Sequence, residues 1–274
     1  MVEVLTPEGV IAVRLHLLHF IPAELVQQIL DDAEYWPRVC CTFEPPEELR
    51  LRTTRSNAFN AAQCCVVTPP IPVLEGVPVR ARRVRFRIRS HDQGWGGEAA
   101  PGPYENSHTW FEALVIRGYR DAGGRHSANA EEEISEMLED RDAYPHMQHG
   151  GLLLRANEFP ATTLFFGLFG GAPARTMTLT TVMNPRAGAD APDVWGVQRN
   201  RRADREERMH EVVWNPRADP SDEETDPRLT GSSLGVGFVD SLQPGDRVAV
   251  VARALYPGWE NCVRSVSVEI CLSV

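Results

Sequence analysis

The segment that most constrains this chain runs from Arg80 to Ala113, and it opens on an alternation that suits a β-strand. Val84, Phe86 and Ile88 alternate with Arg83, Arg85, Arg87 and Arg89. Side chains on a strand point to opposite faces at period two, so one face is apolar and the other is a row of guanidinium groups. The apolar face has to be covered by a second layer. The strand then breaks into Ser90-His91-Asp92-Gln93-Gly94-Trp95-Gly96-Gly97-Glu98, and a second apolar run, Thr109 to Val115, follows. Rigid strands that deliver polar and aromatic groups to a loop are a common way of presenting a functional site.

The C-terminal segment repeats the signal. Val266, Val268, Ile270, Leu272 and Val274 alternate with Ser265, Ser267, Glu269, Cys271 and Ser273, behind a Tyr256-Pro257-Gly258-Trp259 turn. Arg247 to Leu255 reads as a strand, as do Cys64 to Val67, Leu152 to Arg155, Thr162 to Phe169, Thr176 to Met183, Trp195 to Gln198 and Met209 to Trp214. Helical spacing is clear only over Pro22 to Ala33, where Leu25, Val26, Ile29 and Leu30 form a stripe that Tyr35-Trp36-Pro37 ends. Ile11 to Phe20 suits a strand or the lead into a helix. The acidic stretch Ala130 to Asp142 reads as an exposed insertion holding one solvated helix. The expected fold is mainly β: a two-sheet, jelly-roll-type β-sandwich with a short N-terminal helix and long polar insertions. Residues 1–41 form the helical segment packed on the sandwich, and residues 42–274 form the sandwich itself.

Charge narrows the function. The formal net charge is −10, and all 28 basic residues are arginine. An acidic chain is not expected to bind nucleic acid, which needs a basic surface. The absence of lysine removes Schiff-base catalysis and a phosphate-loop lysine; coding bias toward arginine and avoidance of lysine modification both account for it. Met1 to Val10 has no basic start or long apolar core, and Phe159 to Gly171 is too short to span a bilayer, so no membrane partner and a cytoplasmic location are expected. Cys40-Cys41, Cys64-Cys65, Cys262 and Cys271 show no C-x-x-C spacing. His146-x-x-His149 has ligand spacing in a Pro/Gly loop without a carboxylate motif, so neither a metal nor another cofactor is expected.

The chemistry-bearing candidates cluster around the organising loop. Asp92, His91, Glu112 and His210 are the candidate acids and bases, since burial and neighbouring charge bring such groups near neutral pKa. Trp95, Glu98, Tyr104, Trp110, Trp214 and Trp259 are the candidate ligand contacts, aromatic platforms with carboxylates suiting a sugar, peptide or polycyclic metabolite. Equally, Asp92 and Gln93 suit a turn cap and Trp95 a core anchor.

Three resemblances accompany these residues. Ile21-Pro22-x-Glu24-Leu25-x-x-x-Ile29-Leu30 resembles the opening of an F-box, which implies a ubiquitin-ligase adaptor. The Leu/Cys/Trp pattern of the later F-box helices is missing, so engagement of the Skp linker protein is not expected. The ordered set Ile29-Leu30-Asp31-x-Ala33-Glu34-Tyr35-Trp36-Pro37, Ser90 to Gly97, Thr109-Trp110-Phe111-Glu112, Gln198-x-Asn200, His210-Glu211-Val212-Val213-Trp214 and Pro257-Gly258-Trp259-x-Asn261 is similar to a family of fungal hypothetical proteins, which brings no function with it. The chain departs from that family at Cys262 and Cys271, where histidine and an aromatic residue are expected. Gly258-Trp259-x-x-x-Val263-x-x-Val266-x-Val268 resembles the last strands of F-box-associated and phloem-lectin sandwiches, which are galactose-binding-like. The expectation is a module binding a small ligand; the alternatives are a cofactor-free cyclase, isomerase or hydrolase, and the adaptor.

Overall fold

The computed structural model describes residues 5–57, 59–98, 100–121, 129–143, 162–166, 175–184, 193–216 and 226–274. Within them the protein is mainly β, with two antiparallel sheets packed face to face. The first sheet holds β1 (Arg38–Phe43), β2 (Leu49–Arg52), β4 (Arg80–Asp92), β9 (Arg208–Trp214) and β11 (Glu260–Ser273), ordered β1-β11-β4-β9 with β2 also on β11. The second holds β3 (Asn60–Val67), β5 (Thr109–Asp121), β6 (Thr162–Phe166), β7 (Arg175–Thr181), β8 (Trp195–Arg199) and β10 (Arg247–Leu255), ordered β3-β10-β5-β7-β6 with β8 also on β5. The predicted strand Leu152 to Arg155 and the His146/His149 pair lie outside the described residues.

Period-two patterning decides which faces meet. Val84, Phe86 and Ile88 of β4, with Val266, Val268 and Ile270 of β11, point into one core with Phe111, Ala113 and Val115 of β5 and Val248, Val250 and Ala252 of β10. Trp214, Phe86, Phe238 and Trp195 pack edge to face within it. On the opposite face of β4 the guanidinium row meets carboxylates: Arg83 with Glu34 (2.8 Å), Arg85 with Glu269 (3.1 Å), Arg87 with Glu211 (2.8 Å), and Arg89 with Glu207. Ion pairs at the surface, as most of these are, add little stability. Their effect is to neutralise the arginine row.

In the N-terminal segment the structure decides one open alternative and moves one boundary. Ile11 to Phe20 is largely helical, in α1 (Pro7–Leu17), because Thr6 accepts the Gly9 N–H (3.2 Å) and Pro7 occupies the first turn, where its missing N–H costs nothing. The boundary at 41/42 falls inside β1, which pairs with β11 from Arg38↔Cys271 to Phe43↔Val266. The helical part therefore ends with α2 (Ala23–Asp32), which buries Val26 and Leu30 and leaves Leu25 and Ile29 half exposed.

The acidic stretch forms α3 (Ala130–Ala143), but not as a solvated helix. Ala130, Ile134 and Leu138 are buried against Cys64, Val67, Leu114, Ile116, Ala249 and Val251. The second sheet is apolar on both faces, and three well-spaced apolar residues suffice to cover the outer one. No helix among the described residues is long and apolar enough to cross a membrane.

Candidate functional site

Outside the core, the first sheet ends in a cavity of about 470 Å³. Strand register builds its floor. Cys262 of β11 lies opposite His91 of β4 on one side and Arg50 of β2 on the other, while Glu260 lies opposite Arg52. All five side chains alternate away from the core. A bulge at Val263/Ser265 adds a residue to β11 and restores Val266 to the core side, which lets a polar site adjoin an apolar strand. Thr53, Asp92, Gln93, Trp95, Arg205 and Gly258 complete the lining.

Hydrogen bonds hold this lining in place. Thr53 Oγ1 donates to the carbonyl of Tyr256 (2.7 Å), clamping the end of β2 to the Tyr256–Trp259 turn. Gln93 Oε1 accepts the Glu260 N–H (3.0 Å), and Arg205 Nε donates to the Gln93 carbonyl (2.8 Å). Trp95 remains 56% exposed. Gly258, at φ +87°, makes room for it: a β-carbon there would lie 2.9 Å from the Trp95 ring. Glycine is the residue that adopts this conformation without strain.

Charge at the floor is arranged in opposed pairs. His91 Nε2 lies 3.0 Å from Glu48 Oε1, and Arg50 Nε donates to Glu48 Oε2 (3.2 Å). Arg52 Nη2 lies 2.7 Å from Glu260 Oε2, leaving Glu260 Oε1 3.9 Å from Cys262 Sγ. Burial first, and then the Glu260 and Glu48 carboxylates, push the Cys262 thiol up to about 12, so it is protonated at neutral pH. Glu48, His91 and Cys262 each offer a donor atom within 4.8 Å of the others, and these are the residues that could hold a metal.

Asp92 borders the cavity but turns inward. It is fully buried, with one oxygen accepting the N–H groups of Gly94 (2.7 Å) and Asp204 (2.9 Å) and the other that of Ala203 (2.6 Å). It organises two loops at once. Burial raises its pKa while these three N–H groups oppose the rise. Behind it lies a buried polar clasp between the sheets. Asn200 donates to Asn261 Oδ1 (2.9 Å) and Thr109 Oγ1 (3.0 Å), Ser90 donates to Asn200 Oδ1 (2.7 Å), and Asn261 reaches the carbonyls of Trp110 (3.2 Å) and Arg253 (3.1 Å).

The remaining candidates are dispersed. Trp110 donates to Glu112 Oε2 (3.1 Å) on the outer face of the second sheet, flanked by Arg199 and Arg253 at 5.9 and 6.0 Å. Glu112 also meets Arg253 (3.0 Å), and Trp110 lines a separate depression of about 280 Å³. Trp214 is a core residue. Trp259 is 6% exposed and stands edge-on to His108 (4.9 Å). Glu98 is exposed and does not line the cavity. Tyr104 pairs edge to face with His210 (6.0 Å). Thus His91, Asp92 and Trp95 come together, while Glu112, His210, Trp110, Tyr104, Trp214 and Trp259 do not line the cavity. The sequence reading missed Glu48, Arg50, Arg52, Glu260 and Cys262 as site residues. The signal for two of them was the Leu49-Arg50-Leu51-Arg52 alternation.

His210 makes a pH prediction. Burial, aided by nearby Arg208, lowers its pKa from about 6.5 to about 4, and its Nε2 is enclosed with no hydrogen-bond partner. Between those values the unfolded chain binds a proton that the folded protein does not. Stability contributed by the neutral ring is therefore complete above pH 6.5 and is lost as pH falls toward 4. Discounted for the ring's partial exposure, the loss should be about 2 kcal/mol. Urea unfolding at both pH values checks it: the wild type should show this extra loss relative to His210→Gln, and equal pH slopes would refute it.

No protein-family model, curated protein or solved structure matches the chain, so its function is read from the site itself.

Proposed function

We propose that this protein is a β-sandwich binding module that takes a small ligand in the cavity beside Trp95. The observation that carries the reading is a concavity of about 470 Å³ with a half-exposed indole at its edge and fixed polar groups on its floor. Its size is within the range of small-molecule sites, and such sites combine an apolar platform with a few oriented polar groups. A sugar ring, an aromatic side chain of a peptide or a polycyclic metabolite stacks on such a platform, with polar atoms facing Arg50, Arg52, Arg205 and Glu260. The strand order, β1-β11-β4-β9 facing β3-β10-β5-β7-β6 with β8 also on β5, supports a jelly-roll assignment for the sandwich.

The enzyme reading has less support. It needs Asp92, His91, Glu112 or His210 as acid or base, yet both Asp92 oxygens are taken by backbone N–H groups, and Glu112 and His210 do not line this cavity. His91, which does, has both ring nitrogens engaged, by the Asp92 carbonyl (2.7 Å) and Glu48 Oε1 (3.0 Å). The adaptor reading draws on α2 alone.

The test is a thermal-shift screen of oligosaccharides, short peptides and polycyclic aromatics, followed by titration of each hit against Trp95→Ala. Trp95 is half exposed and belongs to neither apolar core, so its removal should leave the fold intact. Hits should bind the variant at least about tenfold more weakly, about 1.4 kcal/mol. Hits that bind both proteins equally would place ligand recognition elsewhere.

A further inference from the structure

We propose that Glu48, His91 and Cys262 bind one divalent transition-metal ion of the zinc class, with its remaining position facing the cavity. The three donors come from parts of the chain far apart in sequence, yet strand pairing sets them side by side. His91 and Cys262 are directly opposed across β4 and β11, and such antiparallel partners hold their β-carbons about 4.5–5.5 Å apart. Glu48 enters from the other flank of β11, immediately before β2. Their donor atoms already lie within 4.8 Å of one another. An ion at ordinary zinc distances, about 2.0–2.3 Å from each ligand, would draw these donors closer together.

The hydrogen bonds around the three groups favour an ion there. His91 Nδ1 lies 2.7 Å from the Asp92 carbonyl, an atom that can only accept. Nδ1 therefore carries the proton, and in the neutral ring the Nε2 lone pair points toward Glu48 Oε1 at 3.0 Å. Two acceptors then face each other, a contact that either a second proton on His91 or a cation relieves. A backbone carbonyl fixing the far ring nitrogen is also the usual support of a metal-binding histidine. Both carboxylates are arranged to match: Arg50 takes Glu48 Oε2 and Arg52 takes Glu260 Oε2, so each Oε1 is turned toward His91 or Cys262.

Charge and donor type select the ion. On binding, the Cys262 S–H bond breaks, sulfur bonds to the metal as thiolate, and the proton leaves to water through the cavity mouth. Thiolate and Glu48 carboxylate then cancel the two positive charges of the ion. A set of one sulfur, one imidazole nitrogen and one carboxylate oxygen is too soft for magnesium or calcium and suits zinc or cobalt in tetrahedral geometry. Glu260 Oε1, 3.9 Å from both Cys262 Sγ and Arg50 Nη1, is a candidate fourth ligand; a water in its place would leave an exchangeable position in the cavity.

Cobalt(II) is the probe, because a cobalt–thiolate bond gives a charge-transfer absorption that carboxylates and imidazoles cannot produce. The full chain, reduced and stripped with EDTA, should develop this band and saturate at one equivalent, and zinc should bleach it. Cys262→Ser should abolish the band, while His91→Gln and Glu48→Gln should weaken cobalt binding by at least tenfold. Cys40→Ser, which removes an exposed thiol, should change nothing. No band in the wild type, or a band that survives in Cys262→Ser, overturns the proposal. If Cys262→Ser fails to fold by circular dichroism, undiminished affinity in both His91→Gln and Glu48→Gln overturns it instead. The organic-ligand reading stands or falls separately, since Trp95→Ala should leave cobalt uptake unchanged.

Discussion

Trp214→Ala should lower the stability of the protein by about 3–5 kcal/mol, the range for deleting a large buried aromatic side chain. The ring is 0% exposed and is held edge-on by Phe86 (centroids 4.7 Å apart) and Phe238 (4.8 Å). Its Nε1 donates to the Ser233 carbonyl (2.7 Å), so truncation also leaves a carbonyl without its partner. The surrounding chain cannot readily collapse into the void. Gly235, at φ +57°, is pressed so close to the indole that a β-carbon there would lie 2.0 Å from the ring. The segment from Ser233 to Phe238 is thus shaped around the tryptophan. Urea unfolding followed by far-UV circular dichroism measures the loss. A loss below about 1 kcal/mol would mean that this core is looser than its packing implies. The sequence reading placed Trp214 among the ligand contacts; the structure moves its contribution from binding to stability.

Asp92→Asn should cost about 2–4 kcal/mol and leave the lining of the cavity otherwise in place. The carboxylate accepts three backbone N–H groups, from Gly94, Ala203 and Asp204. An asparagine has one acceptor oxygen, so its NH₂ must face at least one of these donors. That leaves a buried N–H unpaired, at about 1–3 kcal/mol, and weakens the remaining bonds by removing the charge. A simple side-chain cap is worth about 1 kcal/mol. The larger value arises because the residue ties its own loop to the Ala203–Asp204 turn, over a hundred positions away. Thermal unfolding together with titration of the cavity's ligand separates the outcomes. Unchanged stability with lost binding would return Asp92 to the candidate acids and bases, as a charge or proton carrier that the ligand needs.

Much of the fold was legible because sheet alternation is a local property. Val84, Phe86 and Ile88 had to face a core, and so did Val266, Val268 and Ile270; both sets do. The same alternation on β9 turns Glu211 away from Val212 and Trp214, and it meets Arg87 of the arginine row there. The errors came where local pattern is blind to the partner. Three apolar residues in an acidic stretch look solvated until the second sheet is known to be apolar on its outer face. The choice between helix and strand over Ile11 to Phe20, left open by its apolar pattern, is settled by the adjoining Thr6–Pro7 start.

The candidate site divides along the same line. Sequence by itself determined that His91, Asp92 and Trp95 sit where a strand gives way to a glycine-rich loop, since alternation and turn chemistry act within a few residues. Only the tertiary structure decided which side chains meet there. Register across β2, β11 and β4 sets Arg50, Cys262 and His91 in one line and brings Glu48 beside them, although they span more than two hundred positions of chain. The same packing turned Asp92 inward onto backbone N–H groups and placed Trp214 in the core. Pairing register depends on which strands become neighbours, and that choice minimises exposed apolar area over the whole molecule, which no local stretch of sequence encodes.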